Sequence, residues 1–342
     1  MKISVHPYFL EFKRPFVLAH GTRKGTQLAY VRISHEGYTA YGEASLPPYL
    51  RETYDSVEKW VKSQTDGIQE VLKSNPFDHV ADIPYSSEHP TASAAVQSAL
   101  LNWYVVAQGG RLSDHFESSE SNPSLTLTLT KNDYDSLGEV LETAKDFSHL
   151  KVKLTGSYDD LEFVEAIRKK TDLPFCIDLN QGCSNKEKAI SLITSLERFH
   201  CILVEQPLLS EDHESHYWLK QRLQMPIIAD ESIRSLEDLT QFHEAYSGVN
   251  VKLMKCGGLF QAKKMLEFNS TNDSESPFVK ILGCMSESSL GVSTAAVLAS
   301  HASIADLDAP YLNINDPFKG FQIVNQRIEL EEPIRLKKGV NL

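Results

Sequence analysis

From about residue 125 to about residue 310, short apolar runs alternate with amphipathic segments, and this alternation restricts the fold more than any other feature of the chain. The runs include Leu125-Thr126-Leu127-Thr128-Leu129, His149-Leu150-Lys151-Val152-Lys153-Leu154 and Ile202-Leu203-Val204-Glu205. Between them, segments such as 159–170, 185–199, 236–246 and 259–268 carry helical spacing. Strand followed by helix, repeated, gives a parallel sheet with helices outside. Polar residues recur where the strands end, which fits a closed barrel better than an open sheet.

Five charges fall on the beat of this repeat: Lys153, Asp178, Glu205, Asp230 and Lys252. Successive members lie roughly 25 residues apart, about one strand-plus-helix unit, so in a parallel barrel they converge on one face. A charge inside an apolar run is costly unless something pairs with it. Acids at strand ends also cap helices or pair with lysine, but three on consecutive strands favour a metal. Asp178, Glu205 and Asp230 offer hard oxygen, with no histidine or cysteine on the same beat, which selects magnesium or manganese over zinc. Asn180 and Glu231 stand next to them.

Lys151, Lys153 and Lys252 sit inside apolar runs, unlike the solvated lysines elsewhere. Alternation puts Lys151 and Lys153 on one strand face. A neighbouring cation disfavours protonation, so their pKa values are expected to fall, as a lysine base requires. Lys153 precedes the acids and Lys252 follows them, so the two oppose each other across the metal. Opposed bases suit removal of a proton from one face of a carbon and its return to the other. Positioned acid–base groups give about 10²–10⁴ in rate, or about 3–5 kcal/mol. Deprotonation beside a carboxylate needs more, so the metal must stabilise the resulting dianion.

Residues 1 to about 45 alternate apolar and polar as two or three antiparallel strands, with a polar loop around His20–Lys24 and an irregular stretch from Ser45 to Leu50. Helical spacing follows in 51–75 and in the alanine-rich 90–108. The tail, 321–324 and 328–330, reads as a hairpin returning to the N-terminal part. The expected organisation is an α+β capping domain over 1–120, completed by about 312–342, on a barrel over 121–311. A net charge of -12 argues against nucleic acid or an anionic membrane as the partner. Five cysteines without zinc-like spacing, no signal core and no apolar run of spanning length place the chain in the cytoplasm. The oligomeric state is left open, a homo-oligomer included.

Several motifs carry a further signal: Lys151-Val152-Lys153, Asp178-Leu179-Asn180-Gln181-Gly182, Val204-Glu205-Gln206-Pro207, Ala229-Asp230-Glu231-Ser232, Lys252-Leu253-Met254-Lys255-Cys256-Gly257-Gly258 and Asp306-Leu307-Asp308-Ala309-Pro310. On these the chain resembles the enolase superfamily, in its muconate-lactonizing subgroup, and there most closely the dipeptide epimerases of the L-Ala-D/L-Glu type. The resemblance implies a modified TIM barrel, (β/α)7β, with an N-terminal capping domain and one Mg2+ per active site. It implies Asp178, Glu205 and Asp230 as metal ligands, Lys153 and Lys252 as the two bases, and Lys151 as a substrate contact. Asp306 and Asp308 would hold the α-ammonium group of a dipeptide. Gly283-Cys284-Met285-Ser286-Glu287-Ser288 matches a strand lining the substrate carboxylate, with Glu287 near Lys252. The stretches around His20–Lys24 and Pro47–Arg51 resemble lids, with Arg23 the first candidate for a substrate side-chain carboxylate and Lys24 and Arg51 the alternatives. The implied reaction is epimerisation of the C-terminal α-carbon through an enolate, as in recycling of cell-wall peptides. The alternatives are epimerisation of a dipeptide without Glu, and cycloisomerisation or o-succinylbenzoate synthesis, which share the lysines and triad, so the Asp306/Asp308 pair discriminates.

Overall fold

The computed structural model describes residues 1–18, 21–116, 122–157, 159–269 and 277–342. The chain opens with an antiparallel sheet of β1 (Lys2–Leu18), β2 (Gly21–His35) and β3 (Tyr38–Leu46), in that order. The expected loop at 20–24 is largely strand instead. Arg23 pairs with Phe16 and Thr22 with Val17, beyond a register shift between Glu11 and Phe16; His20 lies outside the described residues. Ladder pairing uses backbone groups, so the polarity of Thr22 and the half-buried Arg23 does not break it.

Helices α1 (Tyr54–Ser63), α2 (Thr65–Val71) and α3 (Pro90–Gln108) accompany this sheet. Proline starts α3, and Gly109 ends it in the left-handed region at φ 67°. Small residues let α3 lie directly on β3: a Cβ added at Gly42 would stand 1.9 Å from the Ala95 carbonyl oxygen. The Glu52 carboxylate takes the Thr91 and Ala92 N–H groups at 2.7 and 3.1 Å, capping the start of α3.

The barrel consists of β4 (Ser124–Leu129), β5 (His149–Lys153), β6 (Phe175–Asp178), β7 (Cys201–Glu205), β8 (Ile227–Ala229), β9 (Gly248–Lys252), β10 (Val279–Gly283) and β11 (Ile304–Asp306). All neighbours run parallel, and β11 closes on β4. The connections carry α4 (Leu137–Thr143), α5 (Asp160–Arg168), α6 (Lys186–Glu197), α7 (His213–Lys220), α8 (Leu236–Phe242), α9 (Leu253–Cys256), α10 (Leu259–Leu266) and α11 (Ser289–Ala296). Helix α6 shows why these form: the Asn185 side chain caps the Lys188 N–H, and Ala189, Leu192, Ile193 and Leu196 bury one face.

After α12 (Ala309–Leu312), β12 (Phe318–Val324) and β13 (Arg327–Leu336) form the expected hairpin. It returns to the first sheet, where Phe318 packs edge-on against Tyr30 with ring centroids 5.2 Å apart.

Inside the barrel, Cys176, Leu203, Ile228, Ile281 and Ile304 form a separate apolar cluster. Side chains two residues further along a strand share its face. That step leads from Cys176 to Asp178, from Leu203 to Glu205, from Ile228 to Asp230 and from Ile304 to Asp306. A dry plug thus supports a charged layer.

Candidate active site

Strand register brings the charges together. Lys153 pairs with Asp178 and Asp178 with Glu205, while Gly283 pairs with both Lys252 and Asp306. Above this layer lies a cavity of about 700 Å³, lined among others by Lys151, Lys153, Asp230, Lys252, Asp306 and Asp308. The Lys153 ammonium donates to Asp178 Oδ2 at 2.7 Å and to Asn180 Oδ1 at 3.1 Å. Lys151 donates to Asp306 Oδ2 at 2.8 Å and Glu205 Oε2 at 2.9 Å, and stands 3.2 Å from Asp178. On the far wall Lys252 donates to Asp230 Oδ2 at 2.6 Å.

Asp306 and Asp308 have their own supports. Thr126 donates its hydroxyl to Asp306 Oδ1 at 2.7 Å, and the Thr128 N–H donates to Asp308 Oδ2 at 2.5 Å. Glu287 is set back from the cavity lining. One of its oxygens accepts the Met285 N–H at 2.7 Å, and the other is buried without a partner. The following Ser288 gives its N–H and hydroxyl to Glu43 of the capping sheet. Arg23 lines the cavity, its guanidinium 5.6 Å from the Phe12 ring centroid and 5.7 Å from that of Tyr49. Arg51 and Arg234 also line it, whereas Lys24 does not.

Several functional neighbours carry no periodic signal. Lys255 is buried and donates to Asp230 Oδ1 at 2.6 Å and to the carbonyls of Asp230, Asn250 and Ile233 at 2.5, 2.8 and 3.2 Å. Its position inside an apolar run is the criterion that singled out Lys252, and could have found it. Asn250 donates to Glu205 Oε1 at 2.9 Å. The Tyr49 hydroxyl meets Met285 Sδ at 3.4 Å, joining a lid stretch to β10's following turn.

The surroundings of the buried lysines act on their charges in different directions. Burial works against the Lys151 charge, but Asp306, Glu205 and Asp178 outweigh it and hold the group well above its ordinary value. Lys252 is likewise raised, burial being overcome by Asp230. Lys255 alone of these goes down, from burial. Burial also acts on Asp178, where Lys153 and Lys151 prevail and keep the carboxyl at about 2.

A divalent cation fits the donor set. Seven carboxyl groups (Asp178, Glu205, Asp230, Glu231, Glu287, Asp306 and Asp308) lie at or behind the barrel mouth with the four ammonium groups of Lys151, Lys153, Lys252 and Lys255, while the guanidinium groups of Arg23, Arg51 and Arg234 line the same cavity. Burial, reinforced by Asp178 and Asp230, pushes Glu205 up to about 8. Burial with the nearby Asp230 takes Glu231 to about 7, and burial with Asp306 does the same for Asp308. Such groups are short of positive charge. The Glu231 Oε2 and Asn250 Oδ1 atoms are buried without partners. Lys151 stands between two of the acids, 2.9 Å from Glu205 and 3.2 Å from Asp178.

Residues 135–340 match the family described as enolase C-terminal domain-like. The chain belongs to the enolase superfamily. This superfamily member is 34% identical to the L-Ala-D/L-Glu epimerase of Bacteroides thetaiotaomicron, over 97% of its own length and 86% of that protein. It is 28% identical to the L-Ala-D/L-amino acid epimerase of Flavobacterium johnsoniae, over 94% and 95% of the two chains. The dipeptide epimerase of Enterococcus faecalis, solved with Mg and the dipeptide L-Leu-L-Tyr, superposes with a TM-score of 0.79 at 25% identity, covering 97% of each chain.

Proposed function

We propose that this superfamily member is a dipeptide epimerase that inverts the α-carbon of the C-terminal residue, with L-Ala-D/L-Glu as substrate. The observation that carries the reading is that Lys153 and Lys252 reach one cavity from β5 and β9, and that Asp306 and Asp308 line the same cavity. Asp178, Glu205 and Asp230 would hold one magnesium ion, which when bound supplies charge stabilisation to an enolate. The chain's own residues do the rest. Lys153 and Lys252 take and return a proton on opposite faces, one losing it as the other gains it. Asp308, with Asp306 beside it, draws the substrate ammonium to one end of the cavity. Lys151 faces the substrate carboxylate. The cationic rim of Arg23, Arg51 and Arg234 supports an acidic side chain at the epimerised residue.

The same reading assigns the enzyme to cytoplasmic recycling of cell-wall peptides. Among the described residues no helix is long and apolar enough to cross a membrane. The test is proton NMR of L-Ala-L-Glu in deuterated buffer with magnesium. Loss of the glutamyl α-proton signal together with appearance of the other epimer is expected. Unchanged spectra across a panel of dipeptides would overturn the proposal.

A further inference from the structure

The turn after β7 holds a side chain with no role in the chemistry above and no solvent exposure: Gln206. Its backbone lies in the left-handed region, at φ 39°. A residue other than glycine stays there only when its surroundings over-determine it. Here they do. The Gln206 N–H donates to the Ile228 carbonyl at 2.9 Å, and its own carbonyl accepts the Gln181 N–H at 2.8 Å. Side-chain Oε1 accepts the N–H groups of Asp230 at 2.9 Å and Ser232 at 3.1 Å. Side-chain Nε2 donates to Ser232 Oγ at 2.7 Å and the Leu208 carbonyl at 3.0 Å, with His216 Nε2 at 3.4 Å.

Chemistry fixes which way this amide points. His216 Nδ1 lies 2.7 Å from the Asp212 carbonyl, so Nδ1 carries the proton and Nε2 is an acceptor. The Gln206 atom facing it must then be the NH2 group. Both neighbours of Oε1 are donors, and all three neighbours of Nε2 accept. The amide is fully satisfied in one orientation only.

One residue therefore adjoins Glu205, is bonded to the turn that follows Asp178, and holds the backbone amide of Asp230. We infer that Gln206 is a positioning residue, which locks the three strand-end turns at the spacing needed by the carboxylates that would hold the metal. The inference rests on the metal reading above and reaches beyond it to a group that touches neither metal nor substrate. Partners of this kind, one bond removed from a metal, typically change affinity by about 10–100-fold.

The test is magnesium titration calorimetry, with thermal midpoints taken with and without magnesium, on the wild-type chain, Gln206→Met and Gln206→Glu. The Met variant removes the acceptor and the donors at similar size. The Glu variant keeps an oxygen for the Asp230 amide but sets another against the Leu208 carbonyl. Magnesium affinity should weaken about 10–100-fold in Gln206→Met and less in Gln206→Glu. The metal-induced rise in midpoint should shrink in the same order. A merely structural glutamine would lower the metal-free midpoint yet leave affinity within twofold of wild type, and that result would overturn the inference. Should both variants fail to fold, amide hydrogen exchange on the wild-type chain decides. Protection of the Asp230 and Ser232 amides equal to that of β7 upholds the strut, and exchange as fast as in exposed turns removes it. A wild-type chain that binds no magnesium defeats the metal reading itself and takes this inference with it.

Discussion

The Lys151 ammonium lies 2.8 Å from Asp306 Oδ2, which ties the fifth strand to the eleventh. Asp306 gives its other oxygen to Thr126, so both are engaged before any substrate arrives. The residue thus anchors Lys151 in addition to the substrate role proposed for it. Breaking a buried pair from one side typically costs about 3–5 kcal/mol. Asp306→Asn should lower the thermal midpoint and reduce kcat/KM for L-Ala-L-Glu by about a hundredfold or more, a loss of about 3 kcal/mol. Unchanged dipeptide turnover in that variant would move the assignment to another reaction of the subgroup.

The proposed roles of Lys153 and Lys252 as bases on opposite walls predict an asymmetric failure. Lys252→Ala should abolish net epimerisation, with a loss of at least about 10²–10⁴ in rate. It should leave α-proton exchange with deuterated solvent from the epimer whose proton faces Lys153. Lys153→Ala should show the reverse. Exchange followed by NMR separately from L-Ala-L-Glu and L-Ala-D-Glu checks this. Equal loss from both epimers in both variants would contradict separate bases.

His216 predicts how stability depends on pH. Burial holds its pKa at about 4, below the ordinary 6.5. The unfolded chain therefore takes up a proton that the folded chain refuses. The contribution of neutral His216 is fully present above about pH 6.5 and is lost as pH falls toward 4. Its size is roughly 3 kcal/mol at most. Thermal midpoints measured between pH 7.5 and 4.5 should fall less steeply in His216→Gln than in the wild-type chain. Parallel profiles would show that other groups govern acid sensitivity.

Gly42 predicts a purely steric effect. Its added Cβ would meet the Ala95 carbonyl oxygen at 1.9 Å and the Ala99 nitrogen at 2.7 Å, both helix backbone atoms that cannot rotate away. Gly42→Ala should destabilise the protein by about 1–3 kcal/mol or more. Urea denaturation would show this as a lowered midpoint. A neutral result would mean that α3 does not lie on β3 this closely.

The barrel and its charges were legible because each strand end interrupts an apolar run, and Asp178, Glu205, Asp230, Lys153 and Lys252 stand at those interruptions. Strand register then gathers them with no further information. The strand pairing at Thr22 and Arg23 was not legible, since its residues are polar and leave no periodic trace. The surroundings of Lys151 were not legible either. The Lys151 charge depends on Asp306, which is distant in sequence and becomes a neighbour only through barrel closure. Gln206 stood inside a motif that named it without explaining it. Its role lies in bonds to Gln181, Asp230 and Ser232, and no pattern along one strand encodes those.

The seam where β11 meets β4 is short, pairing Ile304 with Ser124 and Ala305 with Leu125. A chain leaving the ribosome has every lysine of the pocket in hand before it has made Asp306 and Asp308. On the proposed function, the grip on the amino end of a dipeptide is absent until that strand docks, and fragments truncated ahead of it should be catalytically silent however much of the barrel they contain.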